Sequence, residues 1–180
     1  MNLSRRHLAI AAAMLAALVA GAAAMALQRW GPGGNLARAP QVDYTLLGGQ
    51  RHNTAELQGQ VVLVNFWATS CSTCVAEMPA ITATHEKFKA LGFQTLAVAM
   101  QSDPPALVAE FAERRQLPFG VVIDNTGEIA HRFGDVQLTP TSFLINRRGE
   151  IVKRYVGAPD FAALHGLVAR LLADKALAAS

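Results

Sequence analysis

Cysteine is nearly absent from this chain of 180 residues: there are two, Cys71 and Cys74. A structural zinc site needs four ligands, and no second cysteine pair exists to complete one. Covalent haem attachment needs a histidine directly after the second cysteine, and Val75 stands there. Acidic residues are missing from the first 40 positions, where Arg5, Arg6, Arg29 and Arg38 lie. The rest of the chain holds 12 basic and 13 acidic residues. The basic balance therefore belongs to the N-terminus, and no nucleic-acid surface is expected. Internal repeats are absent too, and the length allows one domain with a proper core.

What is there concentrates in residues 61–79. The stretch Val61, Val62, Leu63, Val64 is apolar at every position, and Phe66 and Trp67 follow. A run without alternation suits a strand buried on both faces, as in a parallel sheet with helices on each side. After a polar corner at 68–70, Val75, Met78, Ile81, His85 and Phe88 recur at helical spacing. Cys71 and Cys74 sit where strand becomes helix. Unpaired N–H groups and the helix dipole stabilise a thiolate there. Cys71 is thus the expected nucleophile, and Cys74, one turn on, the resolving thiol. A purely structural disulfide is the alternative, but closing so short a loop contributes only about 2 kcal/mol. His85 is a conceivable third metal ligand, yet its place on the apolar stripe marks a core histidine. Neither cysteine fits a peroxidatic pattern.

The segment Asn65-Phe66-Trp67-Ala68-Thr69, the Cys71/Cys74 pair and Glu77-Met78-Pro79 resemble the active site of the thioredoxin superfamily. More narrowly, they resemble the membrane-tethered, extracytoplasmic TlpA and ResA-like thiol-disulfide oxidoreductases. Residues 138–146, Leu-Thr-Pro-Thr-Ser-Phe-Leu-Ile-Asn, match that family's cis-proline segment. Gly149-Glu150-Ile151-Val152 and Tyr155-Val156-Gly157 fit its last strands, so the likeness covers roughly residues 41–174. Two departures bear on potential and substrate fit. Ser70 replaces the usual tryptophan before the first cysteine, and Thr73 a frequent proline.

The expected architecture is α/β. It is a thioredoxin fold with a central mixed sheet, helices on both faces and an N-terminal β-hairpin extension. Residues 1–30 read as a signal peptide or membrane anchor: Arg5 and Arg6 precede an uncharged run, 8–27, long enough to span a bilayer. Twin-arginine and ordinary export signals both fit Arg5-Arg6, and the small residues at 24–26 allow cleavage. Either outcome exports the domain, because the arginines stay cytoplasmic. Residues 31–40 read as a flexible linker, 41–175 as the thioredoxin-like domain and 176–180 as a tail. A short strand, turn and strand occupy 42–54, and 53–57 a short turn or helix. Gly92 ends the active-site helix, and 93–100 is a strand. Pro104 and Pro105 open a helix to about Arg115, with Ser102 or Asp103 as its N-cap. Strands follow at 120–124, 141–146 and 150–156, with a short helix at 127–133. Asp160 caps a closing helix whose apolar face carries Leu164, Leu167, Val168 and Leu171.

Several side chains near the cysteines take roles from the resemblance. Thioredoxin has an aspartate where Asn65 stands; an amide relays no proton, and its expected role is structural, satisfied by neighbouring backbone. Glu77, three residues after Cys74, matches a family glutamate that resembles an acid/base for the second thiol; a solvated helix glutamate is the plain alternative. Pro79 removes the N–H that would bond to the Val75 carbonyl. Pro140 is expected to be cis, with Thr139 offering backbone to an extended substrate. Trp67 is either core or active-site wall and joins Thr139 and Pro140 as a candidate substrate contact. His52, His131 and His165 have no partners that point to chemistry.

The resemblance implies an exported enzyme reducing disulfides of exported proteins, apocytochrome c among them, through a Cys71/Cys74 dithiol and without metal or other cofactor. It also implies a membrane thiol-disulfide electron donor, a periplasmic location, possible tethering through 8–27, and a monomer. A net thiol oxidase is the competing enzyme. A copper-handling thiol module is the competing non-enzyme, although no Met/His cluster lies beside the cysteines.

Overall fold

A computed structural model describes residues 36–174. The expected leader, the first half of the linker (31–35) and the tail lie outside the described residues. Five strands form the central sheet: β3 (Val61–Trp67), β4 (Phe93–Ala99), β5 (Gly120–Ile123), β6 (Thr141–Ile145) and β7 (Ile151–Val156). A hairpin of β1 (Asp43–Thr45) and β2 (Arg51–Asn53) precedes them. The sheet order is β5-β4-β3-β6-β7, parallel from β3 through β5 and antiparallel from β3 to β7. The helices are α1 (Ser72–Phe88), α2 (Pro105–Arg115), α3 (Glu128–Arg132) and α4 (Phe161–Ala173).

β3 is buried at every one of its seven positions, which explains its unbroken apolar run. Its side chains still alternate. Val61, Leu63 and Trp67 pack with Met78, Ile81 and Phe88 of α1, Val108 of α2 and Leu164 and Val168 of α4. Val62, Val64 and Phe66 pack on the other face with Ile129 and Ala130 of α3, Phe133 and the hairpin's Tyr44. Helices therefore cover both faces of a mixed sheet, as expected. Asn65 falls in the row facing α1, between Leu63 and Trp67, and is fully buried.

Local chemistry explains most boundaries. α1 runs through Pro79, and its buried face is Cys74, Glu77, Met78, Ile81, Thr84, His85 and Phe88. That face includes two polar side chains the apolar stripe left out, whereas Val75 is half-buried. Gly92 takes a left-handed conformation (φ 92°) and turns the chain into β4. Asp160 caps α4, its carboxylate accepting from the Ala162 and Ala163 N–H groups at 2.9 and 3.1 Å.

Two expectations need correction. The N-cap of α2 is Pro104, with no side-chain hydrogen bond, and not Ser102 or Asp103. Asp103 is turned away from its own helix toward another partner. The last residues of the expected linker are paired rather than free. The Ala39 N–H donates to the Gly149 carbonyl and the Ile151 N–H to the Ala37 carbonyl, both at 2.8 Å. At the opposite edge Leu46 bridges β5 at Val122, and the Leu47 N–H donates to the Val121 carbonyl at 3.0 Å.

Candidate active site

The site forms where the C-terminal ends of β3 and β4 meet the start of α1, the end of a parallel sheet that collects ligands in open α/β folds. Residues 68–71 close a turn, the Cys71 N–H donating to the Ala68 carbonyl at 3.2 Å. Cys71 is the N-cap of α1: its backbone is extended, and its Sγ accepts the Cys74 N–H at 3.2 Å. Cys71 and Cys74 are joined as a disulfide, with Cα atoms 5.2 Å apart. Their environments differ sharply. Cys71 is half-buried at the surface, whereas Cys74 has no exposure and packs among Trp67, Met78 and Ile81.

Glu77 is one turn beyond Cys74 on the same buried face and is 5 % exposed. Its Oε1 accepts from Asn65 Nδ2 at 3.1 Å, and Oε2 has no hydrogen-bond partner. Burial raises the Glu77 carboxyl above its ordinary value, and the Asn65 hydrogen bond offsets part of that rise. The plain alternative, a solvated helix glutamate, does not describe this residue. Asn65 also differs from expectation. Its amide is held by side chains and not by backbone, the second donor bond going to Ser142 Oγ at 2.9 Å. Ser142 pairs directly with Asn65 across the β3–β6 ladder, so both point toward α1. Asn65, Glu77 and Ser142 thus form one buried polar row behind the disulfide, drawn from β3, α1 and β6.

The Thr139–Pro140 peptide is cis. Pro140 is buried and Thr139 half-buried. The Pro140 carbonyl accepts the Gly157 N–H at 2.8 Å, and the Thr141 hydroxyl donates to the Leu138 carbonyl at 2.7 Å. Leu138, just before this peptide, is 66 % exposed. Trp67 departs from its candidate role: it has no exposure and lies 5.0 Å from the Phe111 ring, so it offers substrate no surface. The apolar interior of β3 and α2 claims the indole. His85 is the expected core histidine. Its Nδ1 lies 3.3 Å from Thr95 Oγ1, its ring faces Phe119, and burial lowers its pKa.

Sequence reasoning missed Ser142 and Asp103. Ser142 was visible as the one small polar residue facing α1 in β6. Asp103 lies 34 residues from its partner Thr69, a distance no local pattern spans.

A cysteine pair at the first turn of a helix, the outer one reachable and the inner one sealed, on a five-stranded mixed sheet with a cis-proline segment, defines a thiol-disulfide oxidoreductase of thioredoxin fold. The chain belongs to the Redoxin family, whose model matches residues 34–167. It is 36% identical over 127 residues to the thiol-disulfide oxidoreductase ResA of Halalkalibacterium halodurans, covering 68% of this chain and 71% of that one. A solved Neisseria meningitidis structure described as a thioredoxin superimposes with a TM-score of 0.72 at 40% identity, covering 77% of this chain and 93% of the other. A Chlorobium tepidum structure described as a thiol:disulfide interchange protein DsbE gives 0.69 at 30% identity, covering 76% and 96%.

Proposed function

We propose that this enzyme reduces disulfides of exported proteins, with Cys71 attacking and Cys74 releasing. The observation that carries the reading is the contrast between the two sulfurs: Cys71 reachable at the helix N-terminus, Cys74 wholly enclosed. In the reduced enzyme the Cys71 thiolate attacks one sulfur of a substrate disulfide. A mixed disulfide forms, and the other substrate sulfur leaves as thiolate and takes a proton. Cys74 then gives up its proton, attacks Cys71 Sγ and expels the second substrate thiolate. The substrate has gained two electrons and the enzyme holds the Cys71–Cys74 disulfide. Glu77 is the acid/base for Cys74. Its buried carboxyl, raised by its surroundings, accepts the proton that leaves the thiol and returns it when the enzyme is recharged. Half-buried Thr139 offers its backbone to the substrate as an extended strand, and buried Pro140 behind it fixes the course of that backbone.

The domain works outside the cytoplasm, in the periplasm, with residues 8–27 as tether or export signal. That run lies outside the described residues; among the described residues no helix is long and apolar enough to cross a membrane. A membrane thiol-disulfide carrier supplies electrons, and apocytochrome c is the substrate favoured by the family likeness. Such a place suits a chain whose cysteines are all redox-active.

Trapping tests the reading. The Cys74→Ala chain, expressed in its native host, quenched with acid and alkylated, retains substrates as mixed disulfides on Cys71. Haem-binding proteins among them support the cytochrome route, and a membrane thiol carrier identifies the donor. Capture by Cys71→Ala and not by Cys74→Ala reverses the order of the cysteines. A potential as oxidising as about −120 mV would replace reductase with oxidase.

A further inference from the structure

The end of β3 is tied to the end of β4 by more than the sheet. Thr69 and Ser70 are the central residues of the turn that delivers Cys71, and the N–H of the first central residue finds no partner inside such a turn. Asp103 supplies one. Its Oδ2 accepts the Thr69 N–H at 2.6 Å, and its Oδ1 accepts the Thr69 hydroxyl at 2.5 Å. Asp103 sits in a matching turn after β4, where its own N–H donates to the Met100 carbonyl at 2.9 Å. The Met100 N–H in turn donates to the Trp67 carbonyl at 3.0 Å. The carboxylate is 3 % exposed and does nothing for the helix it precedes.

We propose that Asp103 is a positioning residue for the thiol pair, clamping the Thr69 turn so that Cys71 Sγ stays at the α1 N-terminus once the disulfide has opened. In the oxidised protein the S–S bond itself holds the two sulfurs together. After reduction the covalent link is gone. Cys71 Sγ then keeps its place only through the turn and the Cys74 N–H bond. A clamp on the turn therefore favours the reduced form, in which the thiolate collects the helix N–H groups and dipole. The Asp103 charge has the opposite sign of effect, since an anion opposes a nearby thiolate. Thr69 variants separate the two, because they loosen the clamp and keep the charge.

The test equilibrates the full chain with glutathione. Two glutathione thiols give two electrons and two protons to the enzyme disulfide and leave as one glutathione disulfide. Thr69→Val should lower the equilibrium constant for reduction about tenfold, which is about 30 mV toward a more reducing potential. Thr69→Ser keeps the hydroxyl and should stay within about twofold of wild type on the same scale. Asp103→Ala should move the same way as Thr69→Val, and the double variant no further than Asp103→Ala alone. Thr69→Val within twofold of wild type overturns the proposal, even if its melting temperature falls. Asp103→Ala moving to a less reducing potential also overturns it, since charge and not positioning would then dominate. If Asp103→Ala does not fold, the valine and serine variants decide. The inference rests on Cys71 being the reactive thiol. Mass mapping of first-hit alkylation in reduced wild type tests that separately, whatever the variants do.

Discussion

Replacing Glu77 by glutamine tests whether a buried carboxyl behind the disulfide titrates out of the ordinary range. The residue is 5 % exposed, one oxygen takes a single amide hydrogen bond and the other takes none. Burial dominates and raises its pKa in the folded chain. The sign follows from linkage. The folded protein holds a proton on Glu77 at pH values where the unfolded chain, with a pKa of about 4.3, has lost it. Stability from this group is therefore greatest below that unfolded value. It declines as pH rises toward the folded pKa and stays at its low level above it. Each unit of elevation costs about 1.4 kcal/mol at neutral pH. Glutamine does not titrate, so that slope disappears. The variant carries its own pH-independent cost of about 1–3 kcal/mol, because an amide NH2 replaces the unpartnered Oε2. Urea unfolding of oxidised wild type and Glu77→Gln from pH 4 to pH 8 reads the difference directly. Stability of the variant relative to wild type should climb with pH above the unfolded carboxylate range and then level off. A difference that stays constant across the series would refute the argument, because Glu77 would then titrate alike in both states.

Two further substitutions bear on how the scaffold is held. Asp160→Ala removes the acceptor for two N–H groups at the start of α4 and should cost about 1 kcal/mol in thermal unfolding, with thiol exchange unchanged. Arg147→Ala removes guanidinium bonds to the Gly59 and Leu91 carbonyls at 2.7 and 3.1 Å. At this half-buried position that should lower stability by about 1–2 kcal/mol, read by urea midpoint, with the potential of the cysteine couple unmoved.

Features written in short-range pattern were legible from the chain alone. β3 declared itself by an apolar run, and the thiol pair by its place at a strand-to-helix junction. Asp160 stands one residue before a helical stripe, and it caps that helix. Pro140 became legible as cis only through family likeness, since its neighbours carry no such signal. What escaped was decided by partners distant in sequence. Asp103 precedes two prolines at a helix start and has the chemistry of an N-cap, yet the unpaired Thr69 N–H across the corner claims it. Asn65 looked like a polar residue for backbone to satisfy, but the β3 ladder already uses the backbone, leaving Glu77 and Ser142 to take the amide. Trp67 belongs to a strand whose odd positions face α1, and Phe111 of α2 closes over it.

The pairing of Leu46 and Leu47 with β5 has a consequence for behaviour at high concentration. An uncovered outer strand offers a row of free N–H and C=O groups on which a second copy can add itself. Here that row is occupied by the chain's own hairpin at Val121 and Val122. On the far side, residues 37–39 occupy Gly149 and Ile151, and exposed Lys153 and Arg154 stand along the remaining stretch of β7. Two adjacent cations repel an identical strand laid beside them while leaving the backbone open to a segment of opposite charge. The hairpin covers the backbone of β5 at Val121 and Val122. It removes one of the two routes by which this sheet would otherwise grow into an aggregate.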